Sequence, residues 1–303
     1  MTSNSLKARL ASGKKSYGVW TGGLSTVYTE TLAASGYDFL FLDQEHGPQG
    51  LMETIPHLQT LAAYSCPPVV RVPWNDPVYL KRILDVGVES IMVPMVETAE
   101  QAKAAVAACR YPPRGFRGFG PLRHLGFEPD IDAYGRTAHE RLLLIVQIES
   151  EKAISNIDAI AGVDGVDALY IGPNDLSGTL GCFRDWEHPS LQKAIDTAFA
   201  GITRAGKAAG IVPYGRNTVA SLFQHGYAMI AAQTELTLLR GAARAAVAVV
   251  RKQFPSRRFP WTYVSTGGPP WSPAAARGSA SPWRPSSPTA APTSSSSPGA
   301  RTC

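Results

Sequence analysis

The sequence contains no apolar run long enough to cross a membrane: stretches such as Leu142–Val146 stop far short of the ~20 residues a spanning helix needs. Its opening, MTSNSLKARLASGKK, has no apolar segment of the kind a secretory leader requires. No leader is expected, and these residues read as a first surface helix. Cysteine is sparse. Cys66, Cys109, Cys182 and Cys303 are widely spaced and form no CxxC or CxxH pattern. That argues against a zinc ribbon or a disulfide framework and fits reduced thiols in a cytoplasmic protein. No GxGxxG opens a helix after an early strand, so the dinucleotide-binding fingerprint is missing. Acidic residues are absent after Glu235.

That last absence locates the charge. The formal net charge is +5, which invites nucleic acid as a partner. Nine of the 29 Lys and Arg follow Glu235, leaving 20 against 24 acids, so residues 1–235 carry about −4. The basic balance belongs to the C-terminus, and neither nucleic acid nor membrane is expected as a partner. From about Pro255 the composition collapses into Pro, Ser, Ala, Gly and Arg. Such a segment cannot bury enough apolar surface to offset its ordering entropy. Residues 1–254 are therefore expected to form one domain and residues 255–303 a disordered tail.

Within the first 254 residues, apolar runs alternate with helix-like stretches. The runs are Tyr17–Trp20, Phe39–Leu42, Pro68–Val72, Ser90–Pro94, Leu143–Ile148, Ala168–Ile171, Ala208–Val212 and Ala228–Ala232. Gly36, Gly87, Gly206 and Gly226 close helices between them, as left-handed caps favour. Eight strand–helix units predict an α/β fold of the (β/α)8 TIM-barrel type. A doubly wound open sheet usually has fewer strands. One segment breaks the rhythm: Tyr111–Glu140 is long and turn-rich, and is expected to act as a lid.

In such a barrel the loops after the strands converge on one face, so polar residues ending the apolar runs are the candidates for chemistry. They are Asp43-Gln44-Glu45-His46-Gly47, Arg71, Gln147-Ile148-Glu149-Ser150 and Gly172-Pro173-Asn174-Asp175-Leu176-Ser177. Glu149 and Asp175 end adjacent strands. Two neighbouring carboxylates without cysteine or paired histidine suit a hard divalent cation such as Mg²⁺ or Mn²⁺. The same pair also fits surface acids, with Asp175 and Ser177 capping a short helix. His46 has an acidic neighbour and fits a general base, or a loop histidine with a satisfied hydrogen bond. Arg71 fits an oxyanion or carboxylate binder, or a structural ion pair in the barrel mouth. The backbone N–H groups of Asn174 and Asp175 could face an anion. Asp85 reads as a solvated residue near a helix end.

Taken together, GYDFLFLDQEHGP, PPVVRVPWNDPVYLKRILDVGVESIMVPMVETAEQA, CRYPPRGFRG, LIVQIES, AISNIDAIAGVDGVDALYIGPNDLSGTLG and GKAAGI resemble the HpcH/HpaI aldolase family, over about residues 17–250. The resemblance implies a barrel of the phosphoenolpyruvate/pyruvate type and a class II, metal-dependent carbon–carbon lyase. Such an enzyme reversibly cleaves a 4-hydroxy-2-oxo acid to pyruvate, or a related 2-keto acid, and an aldehyde. It implies Glu149 and Asp175 as ligands of Mg²⁺, Mn²⁺ or Co²⁺. Gln147 and the backbone of Asn174 and Asp175 would help to hold the keto acid. His46 would be the acid/base, its basicity raised by Asp85, and Arg71 would stabilise enolate charge. A homo-oligomer, often a hexamer with exchanged terminal helices, is also implied. Oxaloacetate decarboxylation and a macrophomate-synthase-like condensation would use the same site. A non-catalytic scaffold on a retired barrel is disfavoured by the complete residue set, and a zinc hydrolase by the lack of a His-rich one. The sequence departs from the family at Gln44, expected to reshape the aldehyde pocket, and at Phe119–Glu140, expected to touch the variable end of the substrate. Glu235 stands near a position where Asp is common.

Overall fold

A computed structural model describes residues 4–120, 123 and 130–253. Eight parallel strands form a closed barrel in sequential order, β1 pairing with both β2 and β8. The strands are β1 Ser16–Thr21, β2 Phe39–Asp43, β3 Pro68–Arg71, β4 Ser90–Val93, β5 Leu143–Ile148, β6 Ala168–Ile171, β7 Ala208–Ile211 and β8 Met229–Thr234. Each apolar run of the sequence is thus a strand, with ends shifted by at most two residues. Around them lie α1 Ser5–Ala11, α2 Thr26–Ala34, α3 Leu51–Leu61, α4 Pro77–Asp85, α5 Ala99–Cys109, α6 Ile131–Arg141, α7 Glu151–Ser155, α8 Ile157–Ala161, α9 Pro173–Thr179, α10 Pro189–Arg204, α11 Val219–His225 and α12 Glu235–Gln253. Among the described residues no helix is long and apolar enough to cross a membrane. The expected tail, residues 255–303, lies outside the described residues.

Side chains alternate across a strand, so every second residue points inside the barrel. Trp20, Phe39, Phe41, Val69, Met92, Leu143, Ile145, Tyr170, Met229 and Ala231 form the inner core. The Trp20 and Phe41 rings stack at 4.0 Å, and the Tyr170 hydroxyl donates to the Ile211 carbonyl at 2.9 Å. The other set, including Leu42, Val70, Ile91, Val93, Leu144, Val146, Leu169 and Ile171, packs outward against the helices. At the helix ends Gly36, Gly87, Gly206 and Gly226 all have φ between 70° and 119°, the left-handed region expected of them. Cys66, Cys109 and Cys182 are free and buried.

Two expectations change. The Tyr111–Glu140 segment joins the end of α5 to the start of β5 and contains α6. A helix-to-strand connection lies at the rim where strands begin, opposite the face where strand-following loops converge. Within one chain the described part of this segment stays at that rim, with Arg117 on Asp85 and Arg123 on the Val86 carbonyl, rather than covering the strand-end residues as a lid would. Gln44 does not shape a pocket either. Asp43 and Gln44 are successive residues and point to opposite sides, so Gln44 is buried behind the strand. Its amide donates to Thr54 Oγ1 at 2.6 Å and the Gly50 carbonyl at 3.2 Å, and accepts from the Tyr79 hydroxyl at 2.8 Å.

The chain divides into a first unit, Met1–Val247, holding the barrel, and a second, Ala248–Cys303. Within the first unit, α12 leaves Leu236, Leu239 and Val247 about half exposed.

Candidate active site

The inward positions change character at the strands' C-terminal ends. The series Phe39-Phe41 continues as Asp43, Val69 as Arg71, and Leu143-Ile145 as Gln147 and Glu149. β2 and β3 pair with Asp43 opposite Arg71, which sets the first contact. Arg71 Nε donates to Asp43 Oδ1 at 2.9 Å and Nη2 to Oδ2 at 2.7 Å, a bidentate fork. Its Nη1 lies 2.9 Å from Glu45 Oε2 and donates to Gln147 Oε1 at 3.5 Å. The guanidinium sits 4.6 Å from the centre of the Trp20 ring. Burial opposes its charge, but the hydrogen bonds to Asp43 and the charges of Asp43, Glu45 and Glu149 outweigh that and raise its pKa.

Glu149 is 2% exposed, on the far side of Gln147, whose amide donates to Glu149 Oε2. Met95, with a left-handed φ of 52°, turns its N–H toward Glu149 Oε1 at 2.8 Å. Gly172 sits close beside it: a Cβ there would stand 2.6 Å from Glu149 Oε2, so the carboxylate would have to shift. Burial pushes the Glu149 carboxyl up to about 8; the Met95 N–H opposes this, Glu45 and Asp175 add to it, and Arg71 opposes it. Glu45 is also raised, by burial first, with Arg71 and His46 opposing and Asp43 and Asp175 adding. Its Oε2 is buried without a hydrogen bond, though it faces Arg71. Asp175 is exposed, in the first turn of α9, whose N-cap is Gly172 rather than a side chain. The Ser177 hydroxyl donates to the Asn174 carbonyl at 2.6 Å, so neither residue caps α9.

Among the described residues, four carboxylates, Asp43, Glu45, Glu149 and Asp175, therefore share one mouth with the guanidinium of Arg71. Carboxylate oxygens in excess of positive charge, with buried Glu149 raised among them, match what a hard divalent cation accepts. Among the described residues no three His, Cys, Asp or Glu side chains form a closed cage. Glu149 and Asp175 are the residues that would hold the cation.

His46 stands at the mouth, 64% exposed at its side chain, with Nε2 3.9 Å from Glu45 Oε2. Its acidic neighbour is Glu45. Asp85 is not. α4 runs antiparallel to the strands, so a residue at its end lies at the opposite rim. There Asp85 Oδ1 accepts from Arg117 Nη2 at 2.7 Å. The expected support of His46 by Asp85 is not made within one chain. Asn174, exposed, and Gln147, buried, both reach the strand-end face.

Asp43 and Glu45 stand in the strand-end stretch of the sequence but carry no role assigned from it, and Trp20 lies outside the candidate stretches. The period-two alternation from Phe39 through Phe41 was the signal that Asp43 points inward. Met95 carried no such signal, since its part is played by the backbone. Glu235, buried, accepts from the Gly22 N–H at 2.8 Å and ties the loop after β1 to the start of α12.

Residues 16–242 match the family model described as HpcH/HpaI aldolase/citrate lyase. A hydroxypyruvate/pyruvate aldolase of Chromohalobacter salexigens is 44% identical over 241 residues, 79% of this chain and 94% of its own. A 4-hydroxy-2-oxo-heptane-1,7-dioate aldolase of Escherichia coli is 40% identical over 246 residues, 81% of this chain and 94% of its own. A crystal structure of an HpcH/HpaI aldolase/citrate lyase family protein from Burkholderia cenocepacia superposes with a TM-score of 0.79 at 36% identity, covering 82% of this chain and 100% of that one.

Proposed function

This chain belongs to the HpcH/HpaI aldolase/citrate lyase family, and from that premise we propose that it is a lyase that reversibly cleaves a 4-hydroxy-2-oxo acid to pyruvate, or a related 2-keto acid, and an aldehyde. The observation that carries the reading is the surplus of carboxylate at the barrel mouth, where Glu149, pushed up to about 8, faces Glu45 and Asp175. Mg²⁺, Mn²⁺ or Co²⁺ held by Glu149 and Asp175 would supply a Lewis acid for charge developing on the keto oxygen.

The chain's own groups do the rest. Cleavage takes the proton from the 4-hydroxyl, breaks the C3–C4 bond, passes its electron pair into the pyruvate enolate and returns a proton to C3. His46, exposed at the mouth, carries the proton. Arg71, its fork fixed by Asp43, offers positive charge to the enolate. Gln147, bridging Arg71 and Glu149, and the backbone of Asn174 and Asp175 hold the keto acid.

A homo-oligomer completes the reading. The exposed Leu236, Leu239 and Val247 of α12 would be covered by a second copy. Asp85 supports His46 only from a neighbouring copy, because its own rim is the wrong one.

The test is pyruvate release from 4-hydroxy-2-oxo acids, followed through a coupled dehydrogenase. EDTA should abolish it, Mg²⁺, Mn²⁺ or Co²⁺ should restore it, and Glu149→Gln or Asp175→Asn should resist rescue. Borohydride with pyruvate should trap no adduct. Full activity in chelator, or a trapped lysine adduct, would overturn the metal-dependent reading.

A further inference from the structure

The loop after β1 is tied to the buried side chains of Thr21, Glu235 and His57, none of which takes part in the chemistry above. Gly22 N–H donates to Glu235 Oε1 at 2.8 Å, and Gly23 N–H to Thr21 Oγ1 at 3.1 Å. The Gly23 carbonyl oxygen lies 3.1 Å from Nε2 of His57, a residue of α3 that is 2% exposed. His57 Nδ1 lies 2.8 Å from Oγ1 of Thr29, which is buried on α2.

Burial lowers the pKa of His57, with the Gly23 carbonyl and the charge of Glu235 opposing, so the ring is neutral at neutral pH. A neutral imidazole carries one N–H, and a carbonyl can only accept. Nε2 therefore donates to Gly23, and Nδ1 accepts from the Thr29 hydroxyl. Both ring nitrogens are occupied, so this histidine is placed to hold a backbone rather than to carry a proton.

What that backbone supports is the turn bearing His46. Gly47 lies against Gly22: a Cβ added to Gly47 would stand 3.2 Å from Gly22 Cα and 3.1 Å from the Gly22 carbonyl oxygen. From its own strand the turn is held by Asp43 Oδ1, which accepts from the N–H groups of Glu45 and His46 at 3.2 and 3.3 Å. Both bonds are at the long end of the N–H···O range, which leaves much of the restraint to the packing on Gly22. The His46 side chain is mostly exposed, so few contacts of its own fix its place.

We propose that His57 is a positioning residue: joined to Thr29, it sets the loop after β1, and through Gly22 and Gly47 that loop sets where His46 meets the substrate. The proposal rests on the aldolase reading above, in which His46 carries the proton.

The test is a double-mutant cycle on pyruvate release from 4-hydroxy-2-oxopentanoate. His57→Leu should lower kcat roughly 10- to 10²-fold with KM little changed, because misplacing His46 costs part of what losing it costs. His57→Gln, whose amide can donate to Gly23 and accept from Thr29, should restore most of the rate. In a His46→Ala background, His57→Leu should cost nothing further. A wild-type kcat in His57→Leu, or losses that add in the double variant, would overturn the proposal. Thr29→Val removes one bond of the pair and carries the same cycle, with a smaller loss, if His57→Leu does not fold. Histidine-selective ¹³C NMR without substrate separates the two readings, because it needs no turnover. The His46 ring signal, identified by its loss in His46→Ala, should move in His57→Leu and return in His57→Gln. That outcome supports the link even if wild type releases no pyruvate. An unmoved signal overturns the link and leaves the aldolase reading intact.

Discussion

Two clusters of arginine and carboxylate, each with a buried member, sit at opposite rims of this barrel, and their charge balance differs. At the rim where the strands begin, Asp85 pairs with Arg117 and Glu89 with Arg141, one guanidinium for each carboxylate. At the mouth, Asp43, Glu45, Glu149 and Asp175 crowd around Arg71, the one guanidinium there among the described residues. A balanced pair fixes structure, since removing either partner strands a buried charge. An unbalanced cluster stores unfavourable charge that a cation or an anionic reaction coordinate can use, which is why strongly shifted groups collect at functional sites.

The comparison can be broken first at His46. His46→Ala should lower turnover by about 10²–10⁴-fold while leaving divalent-cation binding intact. Unaltered pyruvate proton exchange in that variant would remove His46 from the mechanism. Next is Arg71→Lys, which keeps the charge and loses the fork to Asp43. Turnover should fall by roughly 10²–10³-fold, the usual cost of one misplaced stabiliser of developing negative charge. Near-wild-type kinetics would reduce Arg71 to a structural ion pair like that of Arg117.

The rims meet if Asp85 serves a neighbour's His46. His46→Ala and the more mildly impaired Asp85→Asn chains, when co-assembled, should exceed the mean of their separate activities, because about a quarter of the composite sites are then intact. No recovery in verified mixed oligomers would confine Asp85 to its pair with Arg117.

The smallest effect is thermodynamic. A carboxyl raised from its ordinary value to about 8 in the fold keeps its proton in the native state over a range where the unfolded chain has lost it. Native protein then binds more protons, so stability falls as pH rises from the ordinary carboxylate range toward 8. In chelator, the Tm of wild type should drop relative to that of Glu149→Gln between pH 5 and pH 8. Divalent cation should close the gap. A constant difference between the two melting curves across that range would mean that Glu149 is not the surplus charge.

The strands were legible because their signal is local. Phe39–Leu42 and Leu143–Ile148 are apolar runs whose length and turn-bounded ends suit strands but not helices. Gly206 and Gly226 adopt the φ that only glycine takes cheaply. The same local rule gathered Arg71, Gln147, Glu149 and Asp175 by placing them after strands. It could not rank Asp43 above Gln44 without committing to which face of β2 was inward, and it could not see Met95, whose contribution is a backbone N–H.

By itself, then, the sequence determined the (β/α)8 architecture, the strand positions and the family, because periodicity, capping and motif order are properties of contiguous residues. Only the tertiary structure decided that Arg71 grips Asp43, that Gln44 turns away into the helical layer, and that Asp85 and its partner Arg117 belong to the other rim. Those outcomes depend on strand register and on helices returning antiparallel to the strands. Both are relations between residues far apart in the chain, which no local window contains.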